Sequence, residues 1–149
     1  MNEKEMILIT HFRKNARQPL TKISRKTGIP VSTIFDRLKQ FKGNIIIKHT
    51  ALLNFRELGY DLRVNFLLSV DNEEKEKLQN FLMMSSSTNS IFKVNNQYDF
   101  LVECIFKNMK EFQEFSDSMH QYSINAKEEY FILEELKKEE FFSDFETIK

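Results

Sequence analysis

The chain has 149 residues, 41% of them apolar, which suffices for one domain or two small ones, and no run approaches the ~20 apolar residues that span a bilayer. Its only cysteine, Cys104, excludes an intrachain disulfide and a thiolate zinc cluster, so we expect a cytoplasmic protein without a metal site. The formal charge of zero hides a division, because residues 1–60 hold 12 basic and 4 acidic side chains (+8), whereas residues 61–149 hold 10 and 18 (−8).

The first 41 residues have the apolar spacing of three helices. We predict a helix over Lys4–Lys14, a short second helix over Leu20–Lys26 and a third over Val31–Phe41, which repeats Ile34, Leu38 and Phe41 at helical intervals. Gly28 tolerates the positive φ that a tight turn between the last two helices requires. Two short helices around such a turn indicate a helix-turn-helix.

The outer side of the third predicted helix carries hydroxyl, amide and cationic side chains. These groups can bond phosphates and base edges in a major groove. An ordinary helical hairpin with a polar face is the alternative, but the hairpin coincides with the basic part of the chain, which favours DNA binding. The predicted base-reading residues are Ser32, Thr33, Arg37, Lys39 and Gln40.

A β-branched run follows the helices. Ile45–Leu53 comes directly after the turn signal Gly43-Asn44, so we predict a strand there, the first arm of a small wing beside the helices. Lys42 and Lys48 are placed to touch backbone phosphates, contacts that position a protein on DNA without reading its sequence.

The second half alternates strand and helix signals. We predict strands over 61–70, 91–94, 99–107 and 128–136, a helix over 73–84 capped by Asp71-Asn72, a loop over 85–90, and a helix from the Asn108 cap to residue 122. This β-α-β-β-α-β order is a ferredoxin-like split unit. The fold class is therefore α+β, with a winged helix-turn-helix over residues 1–60 and a ferredoxin-like domain over 61–149.

Several segments, taken in order, resemble the Lrp/AsnC transcription regulators. Pro30 stands where many members place a helix-capping Ser, but Pro also starts helices well. The β-α-β-β-α-β order extends the resemblance to nearly the whole chain. The matching segments are Asn15-Ala16-Arg17, Leu20-Thr21-Lys22-Ile23-Ser24, Gly28-Ile29-Pro30-Val31-Ser32-Thr33-Ile34, Arg37-Leu38 and Ile46 to Tyr60.

The resemblance implies an oligomer and a small-molecule effector. Members pair their sheets into dimers, which often form rings, so we expect a homodimer or a higher homo-oligomer on double-stranded DNA. The family's turn between the second and third strands helps to bind an amino acid, which points here to Asn96, Tyr98 and Asp99 as effector-binding residues. Asn96 replaces a usual Gly. Asp99 is equally interpretable as a ligand for an ammonium group or as a turn-forming residue.

Two other functions remain as alternatives. Sirohaem decarboxylases resemble the same family across both domains, but such an enzyme needs His and Arg side chains that converge on substrate carboxylates, and the second half offers only Arg63 and His120. A nucleoid-packing protein would bind DNA with little sequence preference. We expect a nucleoid-associated, sequence-specific transcription regulator with no catalytic residue and no cofactor. The tail from Glu134, with Phe141, Phe142 and Phe145, either packs on a partner subunit or completes the sheet, and its sequence does not decide between the two.

Overall fold

A computed structural model describes residues 1–144, which form two compact units. One unit is Met1–Leu52 together with the segment that begins at Leu136, and the other is Leu53–Glu135. The helices are α1 (Glu3–Lys14), α2 (Leu20–Thr27), α3 (Val31–Phe41), α4 (Lys75–Met84) and α5 (Met109–Ser118), and the strands are β1 (Leu62–Val70), β2 (Thr88–Lys93), β3 (Phe100–Phe106) and β4 (Ile124–Phe131). Within residues 1–144, no helix is both long and apolar enough to cross a membrane.

The first unit is a helix-turn-helix built on a small core of aliphatic and aromatic side chains. Asn2 caps α1 through a reciprocal capping box with Glu5, which satisfies amide groups that the first turn leaves without partners. Gly28 ends α2 at φ 72°, as its position in the turn predicts. Pro30 precedes α3 without a side-chain capping bond. Ile23 and Ile34, both fully buried, hold α2 and α3 against α1.

The C-terminal segment also belongs to this first unit. Phe142 packs on the helix-turn-helix core, while Phe141 is 86% exposed. On α1, the Arg13 guanidinium donates to Glu139 Oε2 at 2.6 Å and to the Phe141 carbonyl at 3.0 Å. Glu139 and Phe142 adopt left-handed backbone with φ 55° and 66°, which L-residues with side chains disfavour. Phe145 lies outside the described residues.

The predicted wing strand over Ile45–Leu53 is wrong for the isolated chain. A single bridge joins Lys42 to Ile46, and residues 47–54 form no regular element. A strand needs a neighbour for its backbone N–H and C=O groups, and the described chain brings none alongside. As a result Ile47, Leu52 and Leu53 are 88%, 61% and 56% exposed.

The second unit is an antiparallel sheet in the order β2-β3-β1-β4. Strand alternation sends Val64, Phe66, Leu68 and Val70 of β1 to one face, where they meet α4 and α5. Phe66 lies at the centre of this core, with its ring centroid 5.5 Å from that of Phe115 and 6.0 Å from that of Phe112. The β-α-β-β-α-β order is confirmed, and with it the α+β fold class.

Three predicted boundaries in this unit need correction. The loop over 85–90 is shorter, because β2 begins at Thr88, where its side of the ladder already pairs with Cys104. The last strand runs over Ile124–Phe131 rather than 128–136, because β1 is available for pairing from Val70 back to Val64. A short 3-10 helix over Asn72–Glu74 precedes α4 in place of a side-chain cap from Asp71.

Candidate nucleic-acid interface

Helix α3 divides into an apolar side and a polar outer side. Ile34 and Phe41 are buried in the helix-turn-helix core, and Leu38 packs against it. The helical period then turns the remaining positions away from the core. Five polar side chains on this outer side are exposed, namely Ser32, Thr33, Asp36, Lys39 and Gln40. The structure therefore brings four of the predicted base-reading residues together on one surface.

Arg37 differs from the other predicted base-reading residues because the chain already holds its guanidinium. Its Nη1 atom lies 3.0 Å from Glu5 Oε1 on α1 and 2.8 Å from Gln40 Oε1 on α3 itself. Its side chain is 39% exposed and that of Glu5 is 17% exposed, so the pair sits at the boundary between α1 and the outer side of α3. The resting position of Arg37 is thus between the two helices.

Phe35 is the residue of this surface that sequence reasoning missed. It is 48% exposed although it belongs to a helix whose other aromatic residue, Phe41, is buried. The Lys39 ammonium lies 4.8 Å from the Phe35 ring centroid, a cation–π contact one helical turn away. The helical period contains the signal, since Phe35 follows the buried Ile34 by one residue and lies outside the 34–38–41 stripe.

Lys42 and Lys48 lie on the exposed chain that follows α3. Lys42 takes part in the bridge to Ile46, which fixes its backbone directly after the helix. Lys48 belongs to the irregular segment 47–54. Both side chains are exposed and add positive charge to the chain that follows α3.

The predicted effector residues lie in the turn between β2 and β3 of the second unit. Asn96 has φ 66°, so it adopts the left-handed conformation expected at this position. A hydrogen bond with Glu128 raises the pKa of Tyr98 to about 12. Tyr130 donates to the same carboxylate, so Glu128 accepts from two tyrosines and its pKa is lowered.

The carboxylate of Asp99 has two partners within the second unit. Its carboxylate accepts from the Val70 amide at 2.9 Å and pairs with the Lys75 ammonium at 2.8 Å. Partial burial opposes its ionisation, but these two partners outweigh burial and keep the pKa of Asp99 below its ordinary value. Asp99 therefore ties the turn to the end of β1 and the first turn of α4.

Known proteins match the chain in both sequence and fold. The HTH-type transcriptional regulator FL11 of Pyrococcus abyssi is 28% identical over 78% of each chain, and the leucine-responsive regulatory protein of Rhizobium meliloti is 24% identical over 74% of each. The structure of a transcriptional regulator–L-Met complex from Neisseria meningitidis covers 93% of both chains with a TM-score of 0.86 at 20% identity. No protein-family model matches the chain.

A second solved structure, LrpC of B. subtilis, covers 92% of this chain and 97% of its own with a TM-score of 0.83 at 14% identity. The chain is a transcription regulator that resembles the Lrp/AsnC proteins in sequence and in fold. The resemblance read from its sequence is thereby confirmed, together with its helix-turn-helix and ferredoxin-like architecture.

This regulator also contains a cavity that its sequence did not predict. The cavity, of about 720 Å³, opens beside α4 and α5 in the second unit. Its walls combine apolar rings with hydroxyl, cationic and acidic groups, and the Lys107 ammonium lies 5.5 Å from the ring centroid of Tyr60. The walls come from four separated stretches of sequence, which is why no local pattern indicates them. They include Tyr60, Phe81, Ser86, Lys107, Glu111 and Tyr122.

The two residues that a tetrapyrrole enzyme would need are differently placed in the regulator. Arg63 lies on the sheet face opposite α4 and α5, where Glu103 and Glu135 hold its guanidinium. His120 is exposed in the short 3-10 helix after α5. The relatives and structural neighbours named above are transcription regulators by their names. In residues 1–144, no group of three or more His, Cys, Asp or Glu residues is arranged to hold a metal ion.

Proposed function

We propose that this regulator binds specific DNA sites as a homodimer, with the outer sides of two α3 helices in successive major grooves, and that a small molecule bound by the second unit modulates this binding. The observation that carries the proposal is the exposed polar side of α3 in a region of charge +8. An α-helix fits into a major groove, and the two protomers of a two-fold symmetric dimer contact two half-sites. DNA binding is assigned to residues 1–60 and assembly with effector binding to residues 61–149.

Within the DNA-binding region we assign two kinds of contact. Ser32, Thr33, Lys39 and Gln40 are exposed on the outer side of α3 and are proposed to reach base edges. Lys42 and Lys48 follow the helix and are proposed to grip phosphates. Arg37 joins the base-reading group only after it leaves Glu5, so DNA must compete with the ion pair at 3.0 Å.

Two surfaces support the proposed dimer. The segment 47–54 forms no regular element and exposes Ile47, Leu52 and Leu53, and the same segment of a second copy would supply the missing strand. The sheet face opposite the helices also carries apolar groups, with Phe92 and Tyr130 58% and 50% exposed. On that face the Asn65 Oδ1 atom is buried and accepts no hydrogen bond within residues 1–144.

The proposed effector is an amino acid at the turn between β2 and β3. The Neisseria neighbour was solved as an L-Met complex, which motivates this ligand class. We assign polar contacts with the effector to Tyr98 and to the backbone groups around Asn96. Asn96 has left-handed backbone conformation with φ 66°. Asp99 contributes by holding the turn in place, since Lys75 and the Val70 amide already occupy its oxygens.

The decisive experiment selects bound duplexes from a random pool with the full chain, with and without a panel of amino acids. We expect a two-fold related sequence to emerge, and affinity for it to fall steeply with salt because phosphate contacts release counterions. The Lys42→Ala and Lys48→Ala variants should each lower the slope of log affinity against log salt by about 0.9. Glu76→Gln on α4 is a control on a charged surface residue outside residues 1–60.

Four results would contradict the proposal in different ways. Affinity that does not respond to salt would argue against phosphate contacts, and equal affinity for selected and random duplexes would favour nucleoid packing over regulation. A selected site without two-fold symmetry, together with a protein that sediments as a monomer, would overturn the dimer alone. An amino-acid panel that changes neither affinity nor assembly would overturn the effector alone.

A further inference from the structure

Phe35 is an exposed aromatic side chain in the middle of a polar surface. The ring is 48% exposed, and Val31, one helical turn before it, is 40% exposed. Residues four apart lie on the same side of a helix, so Val31 and Phe35 form a line along α3 that reaches the polar outer side at Lys39. The core of the unit uses neither apolar residue of this line, because Ile23, Ile29, Ile34 and Phe41 fill it.

The contact with Lys39 keeps the Phe35 ring in place. The ammonium lies over the ring, 4.8 Å from its centroid, and the side chain remains 48% exposed. A held ring loses little rotamer freedom when a partner meets it, and it presents an apolar surface of fixed position. The cation beside it attracts the negative backbone of a duplex to the same place.

We propose that Phe35 is a specificity-determining residue that reads the C5-methyl group of a thymine, once in each half-site. This inference rests on the proposed function. In the major groove, the thymine methyl is the apolar group that distinguishes base edges, and a Phe side chain is suited to contact it. The exposed polar residues of α3 are proposed to form hydrogen bonds with base edges, and Phe35 adds an aromatic apolar contact beside them.

The test replaces thymine by deoxyuridine in the selected duplex, position by position, which removes the methyl group and keeps the base pair. A buried CH₂-sized group corresponds to about a fourfold change in affinity, and about fifteenfold when both half-sites are replaced. We expect the wild-type chain to show this loss at one thymine per half-site. Phe35→Ala should bind thymine and deoxyuridine duplexes equally well.

Two further variants separate the ring from its neighbour. Phe35→Leu keeps an apolar side chain and should retain part of the thymine preference. Lys39→Met removes the cation that holds the ring but keeps an apolar stem, so it should weaken the thymine preference without abolishing it and flatten the salt dependence. Circular dichroism and sedimentation of each variant establish that the helices and the oligomeric state are those of the wild-type chain.

The possible outcomes separate this inference from the proposed function on which it rests. Wild-type binding to a selected site with equal affinity for thymine and deoxyuridine duplexes overturns this inference and leaves the proposed function intact. A thymine preference that survives Phe35→Ala also overturns it, because another group then reads the methyl. A Phe35→Ala variant that changes oligomeric state instead would assign the ring to contacts between copies. Failure to bind any duplex would overturn the proposed function and this inference together.

Discussion

The outer side of α3 and the turn between β2 and β3 use their polar side chains in opposite ways. On α3, Ser32 and Thr33 are exposed, and only Arg37 is held by an acid from another helix. At the turn, Asp99 is bound to Lys75 and the Val70 amide, and Tyr98 interacts with Glu128. The polar groups on the outer side of α3 are therefore open to solvent in one chain, whereas those of the turn already bind groups within the second unit.

The largest expected effect tests whether Phe66 belongs to the core of the second unit while Phe35 lies outside the core of the first. Phe66→Ala removes a fully buried ring that packs on Phe112 and Phe115, so the second unit should lose about 3–5 kcal/mol of unfolding free energy. Chemical denaturation followed by far-UV circular dichroism measures the loss. Phe35→Ala makes the same chemical change on an exposed helix and should stay within about 0.5 kcal/mol of the wild type. Equal losses in both variants would contradict this assignment of the cores.

The C-terminal segment gives the next largest effect, within the first unit. Phe142→Ala removes a partly buried ring from the helix-turn-helix core and should cost about 1–2 kcal/mol of unfolding free energy. Its neighbour Phe141 is 86% exposed, so Phe141→Ala is a matched control expected to change stability by less than about 0.5 kcal/mol. If the two variants melt at the same temperature, the segment does not contribute to this core.

Removing the ion pair between Glu5 and Arg37 tests how much this pair restricts duplex binding. Glu5→Gln keeps the reciprocal cap with Asn2, because Gln serves at this position, but it removes the charge that pairs with Arg37. We expect tighter duplex binding and a salt slope steeper by about 0.9, at a stability cost of about 0.3–1 kcal/mol.

Glu3→Gln changes the charge of the same helical turn equally, without touching Arg37, and is the control for overall charge. A slope that steepens equally in both variants would mean that net charge, and not the released guanidinium, is responsible. Arg37→Ala in the Glu5→Gln background should return the slope to its original value.

The smallest effect concerns the pH dependence of the turn. The folded chain keeps the pKa of Asp99 below its ordinary value, so its contribution of about 0.5–1.5 kcal/mol is present above the unfolded pKa of about 3.9. It is lost as the pH falls through the lower folded pKa. Asp99→Asn should therefore be less stable than the wild type at pH 7, and the difference should shrink below about pH 4. A difference that is constant with pH would show that the carboxylate charge is not involved.

Local patterns predicted most of this architecture because each element carries its own period and its own end signal. Ile34, Leu38 and Phe41 fix the buried side of α3, Gly28 fixes the turn before it, and the alternation from Leu62 to Val70 fixes β1. Elements whose form depends on a partner were the ones that failed. The strand over Ile45–Leu53 has no neighbour in the described chain, and β4 takes its register from β1 rather than from its own residues.

In the candidate site, too, local patterns predicted exposure but not contacts between distant residues. Exposure of Ser32, Thr33, Lys39 and Gln40 follows from the helical period, but the ion pair of Arg37 with Glu5 joins residues 32 positions apart. The sequence pattern does not contain such a pairing. The structural role of Asp99 depends likewise on Val70 and Lys75, which only the folded sheet and α4 bring to it.

Alkylation of Cys104 measures how often the second unit opens. Its thiol is fully buried in β3 under the helices, and burial raises its pKa to about 12, so it resists alkylating reagents until the sheet separates from α4 and α5. It is the chain's only cysteine, so every labelling event reports that one opening. The labelling rate can be measured with increasing amounts of duplex. A change in the rate would show that duplex binding at α3 alters how often the sheet of the other unit opens.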